Sequence, residues 1–400
     1  MTVLPDTRWR SAPGLRRIVA ALGADAVKIV GGAVRDTLLG LPVTDIDLAT
    51  PLLPQDVTKR LEEAGIKVIP TGIAHGTVTA IASGDHHEIT TLRRDVETDG
   101  RRATIAFADD WREDAARRDF TINALYADPE SGAVDDWFGG IADLQNGCVR
   151  FIGDAAARIA EDHLRILRFY RFAGRFGKGD LEPDSHAAVI AARQSLKSLS
   201  RERVADELLK ILSLPDPRAI VRQMAADGMF AVILPETADD FAATLDRLLG
   251  NEAATGVCPA PLRRFAALLP PDAATAEQVA SRLRLSTRQR KHLAALAAHR
   301  TGPVRPARQL AHAIGVDGAR DVWLLAGTPD MATAAVLSLN GWEVPQLPMK
   351  GGDIIARGVT AGPEVARILR AVEATWVAED YPDAARVAAL ADQMIGRTSD

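Results

Sequence analysis

The chain has 400 residues, 47% of them hydrophobic and 25% charged, with a formal net charge of −5. That is enough for two or more packed domains of ordinary globular composition, and it excludes nucleic-acid binding through bulk positive charge, so any RNA site must come from local patches. Cys148 and Cys258 show no pairing logic or metal-ligand spacing, no apolar run approaches a membrane span and residues 1–14 lack a signal-peptide core, so the expected setting is the cytoplasm, without structural zinc or a membrane partner.

Residues 8–22 alternate apolar and basic positions with helical spacing and predict a lead-in helix. Residues 27–30 (VKIV) read as a short buried strand. Gly31-Gly32 follow as a turn where no Cβ keeps a ligand from the backbone. The run 33–39 is helical, which puts Gly32 near a helix N-terminus, where free N–H groups suit phosphate. Then comes VTDIDL. On a strand, Asp45 and Asp47 face one side, with Ile46 buried opposite. Paired carboxylates are costly unless a cation sits between them, and a hard divalent ion is the natural candidate. A phosphate cradle beside metal-holding carboxylates is a phosphoryl-transfer constellation.

These residues, with three later stretches, form an ordered set: GGAVRDTLLG, DIDLAT, RRDFTINALY and EDHLRILRFYRF. The set resembles the tRNA nucleotidyltransferase/poly(A) polymerase family, a branch of the polymerase-β-type nucleotidyltransferases. The resemblance is strong over the N-terminal half and weak over the C-terminal half. It implies an α+β nucleotidyltransferase head with a mixed sheet, followed by an all-α neck, body and tail. The expected boundaries are 1–150, 151–215, 216–330 and 331–400, with RNA bound by the last two.

Within the head, residues 55–64 predict an amphipathic helix and 67–70 a strand. Residues 77–81 and 87–92 alternate as two strands of a hairpin across SGDH. Glu88 lies on the second strand. Sites of this type often recruit a third carboxylate there, which makes Glu88 a candidate; an outward-facing strand glutamate fits the pattern equally well. Thr77 and Arg93 are weaker candidates. The polar, Gly-containing run 96–104 predicts a mobile loop. In RRDF, Arg118 could reach a triphosphate with its bidentate fork, and Asp119 could hold an arginine in place. For Asp119 and Asn123, capping and core hydrogen bonding is the favoured reading. By resemblance Arg118 is a nucleotide-binding position, as are Gly32 and Arg35. Residues 135–144 close the head and are expected to be structural.

From residue 152 the pattern becomes helix after helix. Residues 150–210 carry twelve Lys/Arg against nine Asp/Glu. At 100° per residue Arg165, Arg168, Arg171 and Arg175 share one broad face, and Phe172 among them offers a stacking surface. A solvated arginine row is the alternative. Cytosine and adenine both present an amino donor beside a ring-nitrogen acceptor; uracil and guanine present the reverse. A carboxylate only accepts and a guanidinium only donates. Asp162 and Arg165, three apart on one side of a helix, would therefore pair with C and A and reject U and G. In the family this stretch acts as an amino-acid template, so Asp162 and Arg165 inherit base reading, and Arg168 and Arg171 inherit nucleotide contact. Residues 200–208 resemble a stretch supporting this helix; a capped surface helix fits them as well.

Beyond residue 215 the chain is Ala/Leu-rich and helical, without a fixed-period repeat. Residues 281–310 hold eight Lys/Arg and no Asp/Glu, a patch suited either to RNA phosphates or to a solvated face. Residues 349–353 (MKGGD) resemble a tail-domain stretch. The resemblance implies template-independent addition of CCA to the 3′ end of tRNA from CTP and ATP, with two Mg²⁺ held by Asp45 and Asp47. Poly(A) addition by the same head and neck is the alternative, and a non-catalytic RNA-binding protein a third. No motif speaks to the number of subunits.

Overall fold

A computed structural model describes residues 2–73, 76–99 and 102–396, with backbone alone for residues 94–99 and 102–106. The chain divides into two compact units: Met1–Glu207 with Ala219–Ile233, and Leu208–Arg218 with Leu234–Asp400.

The first unit begins with α1 (Pro13–Leu22), which buries Leu15, Ile18, Val19 and Leu22 on one stripe. The helix expected from residue 8 starts only at Pro13. A proline forces its predecessor out of helical backbone, and Ala12 has ψ 133°. There follow β1 (Lys28–Val30), α2 (Gly32–Leu38), β2 (Asp47–Thr50), α3 (Pro54–Glu63), β3 (Lys67–Gly72), β4 (Thr77–Ala82) and β5 (Asp85–Thr91). Next come β6 (Arg93–Asp99), β7 (Arg102–Phe107), α4 (Trp111–Ala116), β8 (Tyr126–Ala127), β9 (Val134–Asp135) and α5 (Gly140–Asn146). Seven strands form one mixed sheet in the order β3-β4-β5-β2-β1-β8-β9. Only β2 and β5 pair in parallel; every other neighbour is antiparallel. The centre of this sheet is buried on Ile29, Val30, Leu48, Ala49 and Ile89, so its middle strands give the site a rigid floor.

Two expectations are corrected here. Asp45 is not on a strand with Asp47, because β2 begins at Asp47 and residues 41–46 are irregular. Ile46 is accordingly half-buried instead of buried. The run expected as a loop at 96–104 is largely strand, since β6 and β7 pair from Arg93↔Phe107 to Asp99↔Arg102 with a register shift between Asp95 and Glu97. A ribbon of two strands needs no apolar alternation, so its sequence reads as loop.

The helical part of this unit contains α6 (Ala155–Glu161), α7 (Arg165–Phe176), α8 (Pro183–Ala192), the start of α9 (Arg201–Leu212), α10 (Arg218–Ala226) and α11 (Met229–Ile233). Asp227 is held by the Tyr170 hydroxyl at 2.7 Å and by His186 Nε2 at 2.7 Å. Those bonds tie residues 219–233 to α7 and α8.

The second unit is helical: α12 (Phe241–Thr255), α13 (Pro261–Leu268), α14 (Ala273–Arg282), α15 (Thr287–Ala298), α16 (Ala307–Ala326), α17 (Pro329–Leu339), α18 (Gly351–Ile355), α19 (Pro363–Ala378) and α20 (Ala384–Gly396). Its interior holds a charge network. Glu252 accepts from Arg263 Nη1 at 2.8 Å and from Arg264 Nη2 at 2.8 Å, and Asp321 accepts from Arg263 Nε at 2.8 Å. Arg264 also donates to the carbonyls of Leu212 and Leu214. Both arginines are 2% exposed. Glu252→Ala should cost about 3–5 kcal/mol, because two buried guanidinium groups lose their shared counter-charge; a lower urea midpoint for the variant checks this. The MKGGD stretch is a helix cap: Asp353 accepts from the Lys350 N–H at 2.7 Å. It opens a cluster in which Ile354, Ile368, Val372, Trp376, Val387 and Leu390 pack together. Among the described residues no helix is long and apolar enough to cross a membrane.

Candidate active site

The chain leaves β1 through Gly31, whose φ of +67° only glycine adopts without strain. Its N–H donates to the Leu125 carbonyl at 3.0 Å. A Cβ there would lie 3.1 Å from Arg118 Nη1. Gly32 then starts α2, as its position in the motif requires. Beside this turn Asp47 is paired on both edges, with Val30 on one side and Glu88 on the other. Parallel register puts the Glu88 and Asp47 side chains on the same face. Partial burial and then Glu88 push the Asp47 carboxyl above the ordinary carboxylate range; Arg118 opposes them and Asp45 adds to them. Asp45 is exposed and accepts from its neighbour Thr44 at 3.0 Å. Asp47 therefore feels both other carboxylates, with Arg118 as the cation that opposes them.

That donor set tests well for a divalent ion: hard oxygens, mutual repulsion and access to solvent. Among the described residues no three acidic, His or Cys side chains already converge tightly enough to hold a metal.

Asp47 also lines a cleft of about 470 Å³ with Gly31, Gly32, Arg35, Arg117, Arg118, Asp119, Asn123, Asp162, Leu164, Arg165, Arg168, Phe172 and Arg203. Six of these fourteen are arginines and three are aspartates, so positive side chains dominate the polar lining of the cleft. Arg118 Nε donates to the Tyr126 hydroxyl at 2.9 Å, and Tyr126 in turn donates to Asp114. Burial alone would lower the Arg118 guanidinium, but Tyr126 and Asp114 outweigh it and hold it above its ordinary value. Asp119 is buried and takes both Arg168 Nε at 2.7 Å and Arg168 Nη2 at 2.5 Å, with the Phe120 N–H and the Asn123 amide completing its shell. Burial would raise its pKa; Arg168 and Asn123 reverse that and keep it charged. Asp119 thus holds an arginine in place and also serves as a core hydrogen-bond acceptor, so both roles its sequence allowed are present.

Arg35 is more committed than its motif suggests. Its Nε bonds Asp36 at 2.7 Å and its Nη1 bonds Asn123 at 2.5 Å. The guanidinium stacks over Phe176 at 4.3 Å. Nη2 lies beside Gly32.

The base-reading pair is brought together, but not as one helix face. The helix expected through Glu161–Arg165 breaks at Asp162, whose backbone is extended at φ −150° and ψ 106°. Its carboxylate accepts from the Leu164 N–H at 3.1 Å, a local turn that competes with helix. Its other oxygen bonds Arg203 Nη2 at 2.7 Å. Arg165 opens α7 and is pinned by Glu161 at 2.5 Å and by the carbonyls of Arg158 and Arg117. Both side chains still line the cleft.

Arg171 is a correction. It is absent from the cleft wall; it bonds Glu207 and stacks over Phe172 at 4.3 Å. Arg175 pairs with Asp36 at 3.2 Å. The row is therefore not a solvated face, since each of its four guanidinium groups is paired with a carboxylate. Phe172 is only 5% exposed and is flanked by Arg168 and Arg35 as well, so it is a platform for guanidinium groups. Arg117 and Arg203 were not singled out by the sequence. Arg203 carries a signal nonetheless, since it sits in the SRERVADEL stretch. In the second unit, Arg282 of the basic run pairs with Glu236 and Arg300 donates to the Leu269 carbonyl, while Arg288 and Lys291 line a groove of about 660 Å³ with His292 and Arg320.

The family described as "Poly A polymerase head domain" matches residues 27–150, and the one described as "Probable RNA and SrmB- binding site of polymerase A" matches residues 180–241. The chain is 34% identical to the mouse protein "CCA tRNA nucleotidyltransferase 1, mitochondrial", across 89% of this chain and 83% of that one. It is 31% identical to a "CCA-adding enzyme" of Levilactobacillus brevis, across 97% of this chain and 99% of that one. Among solved structures, a Bacillus stearothermophilus CCA-adding enzyme in complex with CTP superposes with a TM-score of 0.79 at 26% identity, over 96% of this chain and 97% of that one.

Proposed function

Because the chain belongs to the tRNA nucleotidyltransferase/poly(A) polymerase family, we propose that it adds CCA to the 3′ end of tRNA from CTP and ATP, releasing pyrophosphate at each step and using no nucleic-acid template. The observation that carries this reading is that Asp47 lines the same arginine-rich cleft as Asp162 and Arg165. Likeness to CCA-adding enzymes along nearly the whole chain supports it over poly(A) addition.

The residues divide the work. Arg118 and Arg168 are both held above their ordinary pKa, so they stay charged against a triphosphate and neutralise charge that develops on transfer. Gly31 and Gly32 let the phosphates approach the backbone. Asp162 accepts from the exocyclic amine that cytosine and adenine share, and Arg165 donates to the neighbouring ring nitrogen. Uracil or guanine would oppose acceptor to acceptor and donor to donor. Asp45, Asp47 and Glu88 would hold the two Mg²⁺ ions, which when bound supply neutralisation of the triphosphate and acidification of the RNA 3′-hydroxyl. Arg288 and Lys291 offer phosphate contacts for the body of the tRNA. A tRNA substrate places the enzyme in a tRNA-bearing compartment, which we read as the cytoplasm.

The test is incubation of the protein with tRNA lacking its last three nucleotides, each nucleoside triphosphate and Mg²⁺. Addition of C, C and A followed by arrest, abolished by a chelator, is the expected result. Long A tracts on unstructured RNA would transfer the assignment to poly(A) polymerase, and no incorporation at all would overturn both. Gly31→Ala should raise the KM for CTP about tenfold. Positive φ costs a non-glycine residue about 1–2 kcal/mol, and the new methyl would push on Arg118 Nη1. Steady-state kinetics with CTP check it.

A further inference from the structure

One face of the sheet stays open beyond the carboxylates. Asp47, Glu88 and Thr79 stand in register across β2, β5 and β4, and Thr77 lies opposite Thr90. Side chains paired in register share a face, so these threonines lie on the face that carries the carboxylates. On β3 the same face carries Lys67 and Ile69, opposite Ile81 and Thr79. The alternate residues Val78, Ala80 and Ala82 turn the other way, to the side packed by α1 and α3, and are at most 1% exposed. On the open face Lys67, Thr71, His86 and Glu88 are exposed, Ile69 is 36% exposed, and Thr77, Ile81 and Thr90 are half-buried. Its hydroxyls come in pairs: Thr71 Oγ1 lies 2.8 Å from Thr79 Oγ1, and Thr77 Oγ1 lies 3.0 Å from Thr90 Oγ1. Each pair holds two O–H protons and spends one between its members, so one remains to donate outward.

We propose that this open face of β3, β4 and β5 seats the 3′ end of the RNA, with the two threonine pairs holding its last sugar–phosphate links. The inference rests on the nucleotidyl-transfer reading. In-line displacement needs the attacking and leaving oxygens on opposite sides of the phosphorus. The arginine-rich cleft for the triphosphate lies on the β1 and α2 side of Asp47, at Gly31, Gly32 and Arg118. The attacking hydroxyl therefore arrives from the β5 side, past Glu88. The charges agree with that direction. What meets the carboxylates is the uncharged terminal hydroxyl. The phosphodiester behind it falls on hydroxyl donors further out, and Lys67 stands on the edge strand. From β2 to β3 is three strand spacings, about 14 Å, which takes several nucleotides of a strand that rises about 3.4 Å for each. The kind of group fits as well. The terminal base changes as C, C and A are added, so the contacts must be blind to sequence. Threonine hydroxyls on sugar and phosphate fix position without reading a base.

Two measurements test it on the full-length protein. In an Ile69→Cys variant, alkylation of the new thiol is followed by peptide mass spectrometry without nucleotide or metal, with Cys148 and Cys258 read separately. A tRNA lacking its last three nucleotides should protect the thiol. The same tRNA with its 3′ strand cut back further than the face is long should not, at equal occupancy by gel shift. The second measurement uses Thr71→Val with Thr79→Val, which keeps β-branched strand residues and removes one hydroxyl pair. The KM for tRNA should rise about tenfold, the size of one or two ordinary hydrogen bonds, with the KM for CTP, the preference for CTP over UTP and the Tm unchanged. Protection by both RNAs or by neither overturns the proposal, as does a parental KM for tRNA in the valine variant. A rise in both KM values together with a fall in Tm overturns it too, because the hydroxyls would then hold the sheet and not the RNA. Protection needs no turnover, so it decides the site even where the parent fails to extend tRNA, the result that would sink CCA addition itself.

Discussion

Asp47→Asn should reduce incorporation of both C and A by about 10³-fold and at the same time make the metal-free protein more heat-stable. The two effects have one cause. Asp47 is exposed at the start of β2 yet partly desolvated by its surroundings, and it faces Glu88, with Asp45 also acting on it and Arg118 in opposition. Its carboxyl is therefore held above its ordinary value of 3.8, which means that ionising it costs the folded state. A carboxylate raised in this way destabilises the fold fully above its folded pKa, and the cost disappears below 3.8. Asparagine removes the charge but keeps the strand pairing to Val30 and Glu88. The Tm gain should thus be present at neutral pH and vanish as the pH falls below the ordinary carboxylate value. The activity loss follows because charge stabilisation of the transition state is worth several kcal/mol, and each 1.36 kcal/mol is tenfold in rate. Unfolding scans across pH and single-turnover incorporation check both halves. A variant that is both less stable and partly active would show that Asp47 is a structural strand residue.

Asp162→Asn should lower the preference for CTP over UTP by about 10²-fold, mostly through gained UTP use. The amide offers a donor where the carboxylate offered only acceptors, so the uracil carbonyl is no longer opposed. Leaving a buried polar group unpaired costs about 1–3 kcal/mol, which sets the size of the effect. The structure adds a companion. Arg203 bonds Asp162 at 2.7 Å, so Arg203→Ala should change discrimination too, by freeing the carboxylate to turn. Exchanging both members, Asp162→Arg with Arg165→Asp, should favour UTP and GTP. Arg165 also carries Glu161 and two backbone carbonyls, so the exchange must be judged from the ratio of nucleotides used, not from absolute rate. Retention of CTP and ATP preference in both variants would place base selection elsewhere in the cleft.

The sequence by itself determined the local half of this protein. A glycine pair after a short buried strand, an Asp-x-Asp and an acid–arginine pair three apart are all legible because each is a relation among residues within a few positions of one another. The alternating hairpin around SGDH and the helix periods beyond residue 152 are legible for the same reason. What only the tertiary structure decided is which partner each side chain takes. Periodicity placed Arg165, Arg168, Arg171 and Arg175 on one face. Four different carboxylates, Glu161, Asp119, Glu207 and Asp36, then drew them in four directions, and none of those four lies on α7. The break at Asp162 follows from a side chain bonding its own backbone and Arg203. The Glu252 network was invisible because burial of charge is legible only when the opposite charge, distant in sequence, is in view. Local backbone preference is written in neighbours, whereas long-range pairing is worth most where water is excluded, and only the folded chain shows where that is.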